Sequence, residues 1–107
     1  MQEFEKLYDT IVDRRDNPQE GSYTCYLFEQ GLDKILKKMG EECAETIIAC
    51  KNRSRREVIN ELCDLAFHSA VLMAQLEIPP QEISAELARR AQKAGNLKQF
   101  HVVDKNS

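Results

Sequence analysis

Apolar residues recur along this chain at the three- and four-residue spacing of helices, and no stretch of useful length alternates as a strand would. Phe4, Leu7, Tyr8, Ile11 and Val12 define a first amphipathic helix over about residues 2–15. The polar run from Asp16 to Gly21, with Pro18 inside it, ends that helix. Ser22 or Thr24 then offers a cap for a short helix reaching about Gln30. A second long helix is expected over about 31–51, with Leu32, Ile35, Leu36, Met39, Cys43, Ile47 and Cys50 as its apolar stripe. Asn52 and Arg53 interrupt it, and Ser54-Arg55-Arg56-Glu57 has the form of a capping box. The third long helix starts there and runs to about Glu77, where Pro79-Pro80 stops it. A fourth follows over about 80–94, with Ile83, Leu87, Ala91 and Ala94 inward and Gly95 near its end. Asn96 to Ser107 carries no clear pattern and is expected to be less ordered. The class is all-α: a single domain over residues 1–107, built as a bundle of four to five helices.

Size changes this picture in one respect. A chain of 107 residues buries only a modest core by itself, so a homodimer is expected to complete it. A formal charge of −3 provides no broad attraction to nucleic acid or to an anionic membrane, and neither is expected as a partner. No apolar run approaches the roughly 20 residues that span a bilayer. Met1 to Asp9 lacks the apolar centre of a secretory signal, so a cytoplasmic location is expected. Cys25, Cys43, Cys50 and Cys63 form no C-x-x-C pair, which argues against zinc. They read as reduced thiols serving as small core residues.

The candidate chemistry lies in two acidic runs, Glu41-Glu42-Cys43-Ala44-Glu45 and Glu61-Leu62-Cys63-Asp64. At about 100° per residue, Glu41, Glu42 and Glu45 fit within a narrow arc of the second long helix, with Lys34 and Lys38 on the same strip. On the third, Glu57, Glu61, Asp64 and His68 form another strip. A short connection makes the two helices antiparallel neighbours, so the strips can face each other. From Leu62 to Leu76 the third helix is apolar in nearly every direction, which reads as a buried helix with Asp64 and His68 beside a dry core.

Acids converging in such a place repel one another unless a cation joins them. All-oxygen ligation favours magnesium, with manganese as its substitute, and magnesium is commonly shared with substrate phosphates. Hydrolysis of a phosphoanhydride is the expected chemistry, with Glu41 or Glu45 accepting the proton of the attacking water. Lys34 and Lys38, beside the acids, are the candidates for phosphate. His68 is either a contact to the ligand or a satisfied core histidine. The competing reading makes the glutamates solvated surface residues or structural ion pairs on a non-catalytic helical dimerisation module. A di-iron site is poorly matched, because Glu61-x-x-Asp64 lacks the histidine that such a motif wants and His68 comes one turn too late.

The pattern Glu-Glu-x-x-Glu followed by Glu-x-x-Asp resembles the all-α nucleotide pyrophosphohydrolase superfamily. The run Ser22-Tyr23-Thr24, Leu27-Phe28, Gly31, Lys34-Ile35, Lys38, Gly40-Glu41-Glu42, Glu45 narrows the likeness. With Glu61-x-x-Asp64-Leu65-x-Phe67-His68 and Val71-Leu72, it is similar to the phosphoribosyl-ATP pyrophosphohydrolase family over about residues 4–90. That resemblance implies magnesium-dependent cleavage of phosphoribosyl-ATP between its α and β phosphates, giving phosphoribosyl-AMP and pyrophosphate, the second step of histidine biosynthesis. It implies Glu42, Glu45, Glu61 and Asp64 as metal ligands and Glu41 as a further ligand or base. It also implies Lys38 and Lys34 facing the phosphates, Tyr23 and Thr24 near the substrate, and a homodimer. The cyclohydrolase that some relatives carry is expected on a separate protein. A hydrolase clearing free nucleoside triphosphates is the alternative within the same chemistry.

Overall fold

The computed structural model describes residues 2–93. Among these residues five helices follow one another: α1 (Gln2–Asp16), α2 (Tyr23–Gln30), α3 (Leu32–Lys51), α4 (Arg55–Gln75) and α5 (Pro80–Ala91). No strand occurs among the described residues, so the all-α expectation holds. No helix among them is long and apolar enough to cross a membrane. The expectations for Ala94, Gly95 and the tail lie outside the described residues.

Local chemistry sets the boundaries. The Ser22 hydroxyl accepts the Cys25 N–H at 3.2 Å, so Ser22 and not Thr24 caps α2. Gly31, at φ 90°, turns the chain from α2 into α3. The Ser54 hydroxyl accepts the Glu57 N–H at 3.3 Å and starts α4 as the capping pattern predicts. α4 ends before the prolines. Glu77 adopts φ 58°, its N–H bonds Ala74 O at 3.1 Å, and the Ile78 N–H returns to Met73 O at 2.8 Å. This left-handed cap stops the helix, and Pro79 and Pro80 instead serve α5 as its N-cap and first residue.

The frame is the α3–α4 hairpin, two helices of about 30 Å each joined through Asn52–Ser54. Their antiparallel register sets Met39 level with Ser69, whose hydroxyl reaches the thioether at 3.6 Å. α1 and α2 pack only on the half of the hairpin where α3 begins and α4 ends. There Tyr8, Ile11, Leu27, Ile35, Ala70, Val71 and Ala74 form the core. The Arg15 guanidinium locks this end by donating to Ala74 O at 2.8 Å. The other half of the hairpin is an arm on which, among the described residues, no other helix packs closely.

That division corrects four expectations. The line of α3 facing α4 is Ile35, Glu42 and Ala49, all buried. Of the predicted apolar stripe only Ile35 is buried and Met39 half-buried, while Leu32, Leu36, Cys43, Ile47 and Cys50 are exposed. The cysteines are therefore not core residues: Cys43, Cys50 and Cys63 are exposed and Cys25 is half-buried. α4 is not buried all round, since Ile59, Leu62, Cys63 and Asp64 are exposed on the arm. α5 approaches the rest of the fold mainly through α1, so Ile83, Leu87 and Ala91 face solvent instead of a core.

Candidate active site

The inward line of α3 puts a carboxylate where an apolar residue would normally sit. Glu42 is 6% exposed, between Ile35 and Ala49. One turn on, Glu45 lies at the edge of the hairpin, and Glu61 reaches in from α4. Carboxylate oxygens of these three residues lie within 4.8 Å of one another. Glu42 Oε2 and Glu61 Oε2 are buried and lack a hydrogen-bond donor. His68 Nδ1 lies 4.0 Å from Glu42 Oε1, beyond hydrogen-bond distance, and that nitrogen is already engaged by a backbone carbonyl. Buried carboxylate oxygens without donors are costly, and mutual proximity adds repulsion.

The electrostatics follow from this crowding. Burial, then the neighbouring Glu45, pushes the Glu61 carboxyl up to about 7 from its ordinary 4.5. Burial raises Glu42 as well, with Glu45 and Asp64 adding to it. Asp64 is exposed and stands outside the close trio, although its charge acts on both Glu42 and Glu61. Glu57 joins Glu45 and Glu61 in lining an open cleft of about 260 Å³ between the helices of the arm. Glu41 departs from the group: its carboxylate bonds Lys38 Nζ at 3.1 Å. That contact holds Glu41 below the usual carboxylate range and raises Lys38.

On the packed side of the trio lies an aromatic cluster. Tyr23 Oη is 3.0 Å from His68 Nε2, and His68 Nδ1 is 2.9 Å from Asp64 O. Phe67 stacks against Tyr23 at 6.0 Å between centroids and meets His68 edge-on at 5.1 Å. Tyr26 stacks on the other side of Tyr23 at 6.1 Å, with Lys34 Nζ 5.8 Å over its ring. Lys38 lies within electrostatic reach of both Tyr23 and Glu42, which places it between the aromatic cluster and the acids. Thr24 follows Tyr23 in α2 and is half-buried.

A family model described as phosphoribosyl-ATP pyrophosphohydrolase matches residues 4–91, which takes in most of α1, all of α2 to α5 and every residue of this site. The chain belongs to the phosphoribosyl-ATP pyrophosphohydrolase family. A phosphoribosyl-ATP pyrophosphatase of Clostridium novyi is 50% identical over 95 residues, covering 89% of this chain and 86% of the relative. One of Streptococcus thermophilus is 46% identical over 94 residues, covering 88% and 90%. A histidine biosynthesis bifunctional protein HisIE of Thermoanaerobacter pseudethanolicus is 55% identical over 83 residues, covering 78% of this chain and 38% of that longer protein.

Within this family member, the structure thus joins Glu42, Glu45 and Glu61, and it groups Tyr23, His68 and Lys38 beside them. It leaves Glu41 paired with Lys38, Lys34 over Tyr26, and Asp64 at the solvent edge. Tyr26 and Phe67 were not singled out as site residues from the sequence. Tyr26 was detectable: three positions after Tyr23, it shares a helix face with it. Phe67 offered only its place beside His68.

Proposed function

We propose that this chain hydrolyses phosphoribosyl-ATP to phosphoribosyl-AMP and pyrophosphate, with a magnesium ion held among Glu42, Glu45, Glu61 and Asp64. The observation that carries the metal is the pair of buried carboxylate oxygens without donors, facing a third carboxylate. A hard divalent cation supplies what they lack, and manganese fits the same oxygen donors. Bound there, it would polarise the phosphate oxygens and lower the pKa of a water.

The chain's own residues do the rest. Lys38 and Lys34 stand on the side from which phosphates approach and offer them positive charge. Glu45 is better placed than Glu41 to accept the water's proton, because it belongs to the trio while Glu41 is held by Lys38 and made less basic. Exposed, unpaired thiols at Cys43, Cys50 and Cys63 suit the reducing cytoplasm.

The test is substrate choice. Purified protein with magnesium should release pyrophosphate from phosphoribosyl-ATP at least about 100-fold faster than from ordinary nucleoside triphosphates. Rapid turnover of the triphosphates with none of phosphoribosyl-ATP would establish the triphosphate-clearing alternative instead.

The arm carries a second reading, of assembly. Ile47 is 64% exposed and Ile48 58%, and Ile59 and Leu62 lie level with them on α4. An apolar face of this extent on a small domain marks an interface. We infer that a second copy covers it in a homodimer, adding two helices to the hairpin. Burying each such side chain contributes about 1.5–3 kcal/mol, so Ile47→Glu should dissociate the pair. Sedimentation should give twice 12.3 kDa for the wild type and a single chain for the variant. A wild type that sediments as a single chain at micromolar concentration would remove the dimer.

A further inference from the structure

The proposed reaction leaves one part of its substrate without a partner. Phosphoribosyl-ATP differs from ATP by a phosphorylated ribose on the adenine, at the end away from the triphosphate. A preference for it over ATP requires contacts to that end. The carboxylate trio cannot supply them, because the phosphates cleaved there are common to both molecules.

Suitable groups stand on α2 and at the start of α3. The Tyr23 and Tyr26 rings are stacked at 6.1 Å between centroids, and they are 45% and 40% exposed. Both line an open cleft of about 500 Å³, which is within the range of small-molecule sites. Tyr23 is tied to the packed side of the trio through His68 and Phe67, and Tyr26 is one ring farther out. Lys34 Nζ lies 5.8 Å from the centroid of the Tyr26 ring, and among the described residues it makes no ion pair.

The two lysines of the α3 strip therefore serve different places. Lys38 precedes Glu42 by four residues, about 6 Å along the axis, and its ammonium bonds Glu41 at 3.1 Å. Lys34 precedes Glu42 by eight residues, about 12 Å, and its ammonium is turned to α2. Its hold on the Tyr26 ring is weak beside a charge-assisted bond to phosphate, so an arriving phosphate draws it off. Glu20 and Glu29 line the cleft with the tyrosines. They repel phosphate and accept from hydroxyls, so sugar hydroxyls suit their wall and a phosphate suits the Lys34 side. We propose that Tyr26 and Lys34 form the subsite that selects phosphoribosyl-ATP: the adenine stacks on the Tyr26 ring, and the Lys34 ammonium passes from that ring to the phosphate of the added ribose. This deepens the phosphohydrolase reading above and rests on it.

Two measurements test it. The first needs neither turnover nor metal. The chain has three tyrosines and no tryptophan, so tyrosine emission reports on the stacked pair. AMP and phosphoribosyl-AMP should each quench it, and Tyr26→Leu should remove most of the quench. Lys34→Met should weaken phosphoribosyl-AMP about 10-fold more than AMP, and Lys34→Arg should keep most of the affinity. A quench that survives Tyr26→Leu overturns the adenine site, and equal weakening of the two nucleotides in Lys34→Met overturns the role of Lys34. The second measurement is steady-state kinetics with magnesium. Lys34→Met should lower the preference for phosphoribosyl-ATP over ATP, as the ratio of their kcat/KM values, by about 10- to 100-fold, chiefly through KM. An unchanged preference sinks the proposal, whether both rates fall together or neither does. Wild-type protein inert toward phosphoribosyl-ATP would fail the phosphohydrolase reading itself, while the emission titrations still decide the subsite.

Discussion

Glu42→Gln is expected to abolish catalysis while leaving the metal-free protein at least as stable as the wild type. Glu42 is the most enclosed acid of the trio, its Oε2 has no donor, and burial already disfavours its charge. An amide of the same size removes that charge and brings an N–H₂ group that Glu45 or Glu61 can accept from. The thermal midpoint without metal should therefore hold or rise by a few degrees, where 1 kcal/mol corresponds to roughly 4–8 °C for a domain of this size. Pyrophosphate release should fall by at least about 100-fold, since a neutral amide is a poor ligand for magnesium. Asp64→Asn, at an exposed carboxylate, should cost activity with little change in the metal-free midpoint. A purely structural role predicts the reverse: lost ion pairs would lower the melting temperature of Glu42→Gln with no magnesium-linked activity to lose.

The second large effect is the pH dependence of stability and its reversal by magnesium. In the folded, metal-free protein Glu61 keeps its proton up to about 7, whereas an ordinary glutamate loses it near 4.5. Between those values the folded state binds more protons than the unfolded chain, so stability falls as pH rises. Glu42, raised in the same direction, adds to the trend. The contribution is fully present below about 4.5 and lost above about 7. Thermal melts without metal should thus show a midpoint lower at pH 8 than at pH 5, outside the acid range where other carboxylates unfold the protein. Magnesium competes with these protons, so the midpoint gain from a fixed magnesium concentration should grow from pH 5 to pH 8. A magnesium gain independent of pH, or none, would argue against the trio as its site.

Much of the fold was legible because helix signals are local. The Ser54 cap, the break after α1 and the class itself follow from neighbouring residues. The end of α4 did not, since the prolines outweighed a left-handed Glu77, a conformation that no non-glycine residue advertises. The stripe of α3 was misread for a different reason. That helix has two apolar seams: one faces α4 and runs Ile35, Glu42, Ala49, seven residues apart, and the other runs through Leu32, Leu36, Cys43, Ile47 and Cys50. A hydrophobic average favours the second, stronger seam, although among the described residues that seam is left exposed. The seven-residue spacing of the first was visible, but a glutamate in its middle made it look polar. The facing of the acids was legible from spacing plus a short connection. The separation of Glu41 and Asp64 from the close trio was not, because it depends on where Lys38 reaches and how far the arm extends beyond the core.

The most direct check is anomalous diffraction from crystals grown with manganese. One or more peaks should lie at about 2.0–2.2 Å from carboxylate oxygens of Glu42, Glu45 and Glu61, a distance typical of a small hard cation. Manganese bound elsewhere, with these three side chains unliganded at saturating metal, would contradict the account.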